Sequence, residues 1–447
     1  MYRLTIKDEN NRYELTELAK MFVPADELDC FAEGPDSFMI PGSDQADRNA
    51  QKRLLYNYMA ERTGRDLCWG TLTGVRPLKL FNKLVRQYGS PEGAEAVLKM
   101  DYLVSSEKTG LIRRVWDTQR NVSFDRDPKA VGLYVGIPFC PTRCLYCSFT
   151  SNKYSREKAE AYLGALKQEI DAVSRMFAAK GLYAESVYIG GGTPSSLEED
   201  QFSWLVNKVS RSFLTDRTSE YTVECGRPDS ITEGKIRTLT ASGCGRISIN
   251  PQSMQAKTLE RIGRAHTPGD INEAFAVANK AGVKIINADL IAGLPGESPE
   301  DMADSLTKII ALGPQNITVH TLAVKRGSRL IEQDKDISYS VGGTVSVMLS
   351  ESFDALGRAG YSPYYLYRQK HMAGNMENTG WSLPGRESIY NIRIMEEDQT
   401  VIALGAGGVS KIYFPEEDRV ERVANVSNYE IYIDRIGEMI KRKEDAL

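Results

Sequence analysis

The chain has 447 residues, 41% of them hydrophobic and 26% charged, with 37 glycines and 18 prolines, which excludes a disordered, low-complexity or fibrous protein. A formal net charge of -4 without any long Lys/Arg block gives no electrostatic case for nucleic acid or an anionic membrane as a partner. No run is apolar for long enough to span a bilayer, and the opening Met1 to Glu9 reaches acidic residues before any apolar stretch, unlike a secretory signal.

The expected location is therefore cytoplasmic. There, seven cysteines point to metal or redox chemistry rather than to a disulfide framework.

In chain order, the first 130 residues mix short elements such as Leu15 to Val23, an acidic loop near Glu33 to Asp44, and a helix from about Asp47 to Thr63. The stretch Trp69-Gly70-Thr71-Leu72-Thr73-Gly74-Val75-Arg76-Pro77 breaks that helix, more helix follows, and Asn121 to Ala130 reads as a linker. Residues 1–130 are expected to form an N-terminal α+β accessory domain.

From Val131, short β-branched runs alternate with amphipathic helices, the order of βα units around a parallel sheet. Strands are expected at Val131 to Ile137, Ser186 to Ile189, Tyr221 to Cys225, Arg246 to Asn250, Lys284 to Asp289 and Asn316 to Ala323. Ser155 starts a helix whose apolar face ends before Gly181, and Ser298-Pro299-Glu300-Asp301 starts another with a cap residue, a first-turn proline and favourable acids. These repeats predict an α/β fold, a partial (β/α)6 barrel over residues 131–324. Residues 325–447, with a helix, a Tyr-rich strand, a Gly-rich turn and a terminal helix, are expected to form a C-terminal domain covering the substrate.

The strongest chemical signal is Cys140-Pro141-Thr142-Arg143-Cys144-Leu145-Tyr146-Cys147, a C-x3-C-x2-C array on the loop leaving the first strand. A structural zinc site wants four closed ligands, and the next Cys or His in sequence are Cys225 and His266. Three thiolates instead suit a 4Fe-4S cluster with one iron left open, with buried neutral thiols or an unusual zinc site as the alternatives. Glu224 and Asp289 fall at the C-terminal ends of expected strands, on the rim where barrel ligands bind. Arg264 offers a planar fork for a carboxylate, and Gln252 can donate and accept. Strand alternation puts Tyr134 on the face that Gly132 and Gly136 leave open.

The cysteine loop resembles that of the radical S-adenosylmethionine (SAM) superfamily. Tyr134 to Pro138, Gly190-Gly191-Gly192-Thr193-Pro194-Ser195, Glu224, Gln252, Arg264-Ala265-His266 and Asp289-Leu290-Ile291-Ala292-Gly293-Leu294-Pro295 follow the order of the oxygen-independent coproporphyrinogen III oxidases. The runs Leu72 to Pro77, Glu387 to Asn391 and Ala403 to Gly407 resemble the HemZ-type branch, coproporphyrinogen dehydrogenase. The resemblance implies that Cys140, Cys144 and Cys147 hold one 4Fe-4S cluster. It implies that Tyr134, Tyr146, Gly191, Gly192, Thr193, Glu224, Gln252, Arg264, Asp289 and Ala323 surround SAM, with Tyr146 against the adenine. The implied reaction, in haem biosynthesis, converts coproporphyrinogen III to protoporphyrinogen IX: the reduced cluster cleaves SAM, and the resulting radical removes a propionate hydrogen before loss of an electron and carbon dioxide. A flavodoxin or ferredoxin is the implied electron donor.

Phe149 stands where the best-known members carry a further cysteine, and haem-chaperone relatives also have phenylalanine there. A haem chaperone, or a methyltransferase or haem-degrading enzyme on the same scaffold, therefore remains an alternative. Tyr361, Tyr364, Tyr365, Tyr367, Arg368, Lys370 and His371 suit either an amphipathic strand on the cap, the reading favoured here, or a surface for a flat, carboxylate-bearing tetrapyrrole.

Overall fold

A computed structural model describes residues 1–447 except 32–36, 126, 149–150, 325–326, 334–340 and 370–371. Phe149, Lys370, His371 and part of the Glu33 to Asp44 loop thus lie outside the described residues. The first unit carries β1 (Tyr2–Ile6) between β2 (Leu28–Asp29) and β3 (Phe38–Ile40), all parallel. The expected helix is Arg48–Thr63, with the Asp47 side chain accepting from Ala50 N at 2.8 Å. A second apolar cluster, around Trp69, Phe81, Leu98 and Ile112, includes Leu366 from the far end of the chain.

The sequence Ala130-Val131-Gly132-Leu133-Tyr134-Val135-Gly136-Ile137 forms β4 (Ala130–Ile137), buried on both faces as a central parallel strand must be. After β5 (Phe139–Cys140) and β6 (Asn152–Lys153), the helix Arg156–Lys180 buries Ala159, Tyr162, Leu166, Ile170 and Val173. It stops at Gly181, whose φ of +66° suits glycine.

The alternation continues through β7 (Tyr183–Gly191), β8 (Glu220–Glu224), β9 (Arg246–Ser248), β10 (Ile285–Ala292) and β11 (Asn316–Thr321). Ser298 and Asp301 close a capping box on the helix Pro299–Leu312 between the last two strands. Neighbouring pairs from β4 to β11 are parallel and in sequential order, each strand followed by a helix: the expected (β/α)6 partial barrel.

The C-terminal segment adds strands to both edges of the same sheet. β12 (Ser362–Tyr367) and β13 (Asn378–Ser382) extend the sheet antiparallel beyond β11. β14 (Val401–Leu404) pairs parallel with β4, followed by β15 (Val409–Phe414) and β16 (Arg419–Ala424). The result is one sheet of 11 strands among the described residues, built around the barrel strands. Backbone pairing explains why: the buried run Val401-Ile402-Ala403-Leu404 fits beside Gly132 to Val135, a partnership 269 positions apart that local pattern does not reveal.

Strand ends also differ from the sequence reading. The fourth strand ends at Ser248 rather than Asn250, because the chain turns through Pro251 to Gln252 at φ +69°. The fifth runs on to Ala292 by pairing with His320 and Thr321, so Asp289 sits inside it rather than at its tip. The sixth ends at Thr321, leaving Ala323 on the following loop, and Gly190 and Gly191 still pair with Gly136 and Ile137 before the glycine turn begins. No helix among the described residues is long and apolar enough to cross a membrane.

Candidate active site

Parallel strands bring their C-terminal ends to one rim, and here that rim opens into a cavity of about 370 Å³. Its lining brings together Cys140, Cys144 and Cys147 with Tyr146, Gly191, Gly192, Thr193, Glu224, Gln252, Arg264, Asp289 and Ala323. Tyr134 alone of the expected set is not in that lining. Its ring lies in a stack with Tyr188 and Tyr390, at centroid distances of 6.2 and 6.3 Å, and its hydroxyl sits beneath Gly191. The Tyr188 and Tyr390 rings, from other elements, stack against Tyr134.

The cysteine loop is fixed from several directions. Asn152 N donates to Pro138 O at 2.8 Å and Tyr154 N to Cys140 O at 2.9 Å, while Leu145 N donates to Ile262 O at 2.9 Å. Burial pushes the Cys140 thiol up, against a hydrogen bond from Thr193 Oγ1 at 3.4 Å. Arg227 Nη1 donates to Cys144 Sγ at 3.6 Å. Among the described residues no three His, Cys, Asp or Glu side chains gather as they would around a single metal ion. Three thiols lining one cavity suit a multi-iron cluster, in which each thiolate would bind a different iron.

At the glycine turn, Tyr188 OH donates to Glu224 Oε1 at 2.6 Å, and Gly191 N donates to Glu224 Oε2 at 3.2 Å. Burial, with the nearby Asp289 charge, raises the Glu224 carboxyl to about 7 against that tyrosine hydrogen bond. Burial also works against the charge on Asp289, but His320, with Asn287 and Thr318, outweighs it and lowers its pKa. His320 Nε2 is 3.5 Å from Asp289 Oδ2, and Asn287 Nδ2 donates to Oδ1 at 2.8 Å. His266, the histidine of the Arg264-Ala265-His266 run, is buried, and its pKa is pushed down to about 4 by burial and by Arg264 and Arg227.

The Arg264 fork is more committed than the sequence reading supposed. Nη1 donates to Gly226 O at 3.1 Å and Asn250 O at 2.9 Å, and Nη2 donates to Tyr146 OH at 3.1 Å. What remains without a partner is informative: Arg264 Nε, Gln252 Oε1 and Asn250 Oδ1 are buried yet unmatched at the cavity. Buried polar atoms of this kind are costly unless a ligand meets them. Glycine is also required at 192, where a Cβ would come 2.5 Å from Phe139 O, so the backbone forms a close cradle. Three thiols, unmatched donors and acceptors, and a glycine cradle on one cavity fit a cluster with a polar cosubstrate beside it.

The Tyr-rich strand departs from the favoured reading. A register shift between Pro363 and Tyr365 re-aims the strand, so that Tyr365 and Tyr367 line the cavity. Tyr364 is buried and accepts from Asn391 Nδ2 at 3.1 Å, and Tyr361 OH donates to Pro314 O at 2.5 Å. Arg368 belongs to no basic surface: it is buried and donates to Leu72 O and Asn375 O, at 2.5 and 2.9 Å. Asn378 and His320, brought in by strand pairing, and Asn391, from the Glu387 to Asn391 run at the start of the helix Ile389–Glu396, also line the cavity.

Comparison with known proteins bears on this arrangement. Residues 134–309 match the Radical SAM superfamily model. An oxygen-independent coproporphyrinogen-III oxidase-like protein, HemZ, of Bacillus subtilis is 39% identical over 395 residues, 87% of this chain and 78% of the relative. The chain belongs to this HemZ-type radical SAM family. A haem chaperone, HemW, of Bacillus subtilis is 28% identical over 308 residues, 68% of this chain and 76% of HemW. The fold is also that of coproporphyrinogen III oxidase, HemN, from Escherichia coli, with a TM-score of 0.57 at 23% identity over 75% of this chain and 73% of that one. Radical SAM proteins bind a 4Fe-4S cluster and SAM, the two groups that the cavity's donor set fits.

Proposed function

We propose that the chain is a coproporphyrinogen dehydrogenase, converting coproporphyrinogen III to protoporphyrinogen IX without oxygen. The observation that carries this reading is one cavity lined both by the three-cysteine loop and by Tyr365, Tyr367, Asn378 and Asn391. The loop suits the cofactors, and the other residues offer flat rings and hydrogen-bond donors to a carboxylate-bearing tetrapyrrole.

Cys140, Cys144 and Cys147 would hold the cluster. Gly191, Gly192, Thr193, Glu224, Gln252, Arg264, Asp289 and Ala323 would surround SAM, with Tyr146 beside it and Tyr134 acting from beneath Gly191. When bound, these groups supply a hydrogen-abstracting radical by one-electron cleavage of SAM. The protein's own work is to place the propionate carbon and to keep bulk water out. Arg227 steadies the Cys144 sulfur, Tyr188 orients Glu224, and His320 keeps Asp289 ionised. Each of the two reacting propionates loses one hydrogen atom, one electron to an external one-electron acceptor, and carbon dioxide to become a vinyl group. A flavodoxin or ferredoxin would be the donor.

Within this reading, residues 1–130 are an accessory unit, 131–324 the cofactor barrel and 325–447 the substrate wall. The test is anaerobic: reconstituted protein with dithionite, SAM and coproporphyrinogen III, followed by mass spectrometry. Protoporphyrinogen formed together with 5′-deoxyadenosine is the expected result. The HemW likeness supports a second reading, a haem chaperone, for which haem binding without either product would be found.

A further inference from the structure

The loop bearing the three cysteines has an inner and an outer side. Its cysteines line the cavity, whereas Arg143, between the first two, is exposed and outside that lining. Two more arginines reach this outer side from distant parts of the chain. Arg143 Nη2 donates to Gly327 O at 2.6 Å, and Arg329 Nη2 donates to Arg143 O at 2.8 Å, so the two segments clasp each other while both arginines stay exposed. A Cβ at Gly263 would come 4.0 Å from the Arg143 carbonyl oxygen, so the helix Ala256–Arg261 ends, two residues earlier, near this margin, with the exposed Arg261 carrying its guanidinium over Gly296.

No carboxylate of the described residues pairs with these cations. Arg113, Arg156 and Arg217 each meet two or more carboxylates on the surface. Among the described residues, none of Arg143, Arg261 and Arg329 has a carboxylate within 4.0 Å, and the exposed acids beside them in sequence, Glu260 and Glu332, make no ion pair with them. Gly263 and Gly327 are exposed there too, so a partner's surface can come close to the backbone. On a chain of net charge -4, a local unpaired positive face orients an acidic partner toward this loop and away from the rest of the surface.

We propose that Arg143, Arg261 and Arg329 form the docking face for an acidic, low-potential one-electron carrier protein, directly over the loop that holds the cluster. The proposal rests on the cluster assignment made for Cys140, Cys144 and Cys147. One electron leaves the carrier's reduced cofactor and enters the oxidised cluster, with no bond made or broken at this face. Transient electron-transfer contacts are small, burying under about 1,200 Å², and are steered by charge, so a few arginines suffice.

The experiment uses the reconstituted full chain and a reduced flavodoxin as the probe. Stopped-flow absorbance follows cluster reduction, flavodoxin affinity is measured separately by calorimetry, and dithionite serves as a small reductant that needs no docking. In R143E/R329E the flavodoxin rate constant and affinity should fall about tenfold or more at low salt, with a shallower salt dependence. Dithionite should still give the wild-type reduced-cluster EPR signal. R261E, which leaves the cysteine loop untouched, should show a smaller loss of the same kind. Equal flavodoxin rates in wild type and both variants would overturn the docking face, as would wild-type protein that dithionite reduces and flavodoxin does not. Wild-type protein with no dithionite-reducible cluster would overturn the cluster assignment itself, and the docking face with it.

Discussion

Two buried polar regions of the molecule are built in opposite ways. In one, the Glu169 carboxylate accepts from Lys443 Nζ at 2.7 Å, Asn425 Nδ2 at 2.8 Å, Tyr432 OH at 2.6 Å and Gly405 N at 2.8 Å. Lys443 and Glu169 are 1% and 0% exposed, so the C-terminal helix is latched to the barrel helix with both charges matched. At the cavity rim, by contrast, Gln252 Oε1, Asn250 Oδ1 and Arg264 Nε are left without partners, and Glu224 is held at about 7. A completed network stabilises the fold, whereas an incomplete one keeps donors and acceptors available for a ligand, at a cost in stability.

The comparison breaks most sharply at the cysteines. Replacing Cys140, Cys144 or Cys147 by Ala should abolish turnover and the iron-sulfur absorbance while leaving the apo-protein's thermal midpoint close to wild type. The latch should behave the other way round. Lys443→Met leaves the Glu169 charge buried and unpaired and should cost about 3–5 kcal/mol in urea unfolding, with much of that recovered in Lys443→Met/Glu169→Gln.

A smaller effect sharpens the contrast through pH. Because the Glu224 pKa is raised from 4.5 to about 7, the apo-protein's stability contribution from this group is complete below pH 4.5 and lost as pH rises through about 7. SAM affinity should move oppositely, strengthening about tenfold across the same interval as the carboxylate ionises, and Glu224→Gln should flatten both curves in calorimetric titrations. Smallest of all, Gln252→Ala should weaken SAM binding about fivefold, the worth of one ordinary hydrogen bond, with little change in unfolding.

What could be read from the sequence was what local spacing encodes. Cys140 to Cys147, the glycine turn at 190–192 and the apolar face of Arg156–Lys180 all announce themselves within a few residues. Long-range pairing was not legible. Val401 to Leu404 joins β4, and Lys108 Nζ and Trp69 Nε1 both donate to Glu377, each at 2.8 Å, across roughly two-thirds of the chain. A single register shift also decided which tyrosines face the cavity, turning Tyr365 and Tyr367 toward it where a regular alternation from Tyr361 would mislead. His320 could be singled out only once β10 and β11 were in register, which pairs it with Ile291 and lets its side chain reach Asp289 diagonally.

The central claim is that cofactors and tetrapyrrole react within one cavity. Coproporphyrinogen III carrying deuterium at the β-carbons of its reactive propionates tests it directly, with the 5′-deoxyadenosine analysed by mass spectrometry after anaerobic turnover. The account predicts deuterium in the deoxyadenosine, in step with the appearance of vinyl groups. Deoxyadenosine formed without deuterium while the labelled substrate is present would contradict it.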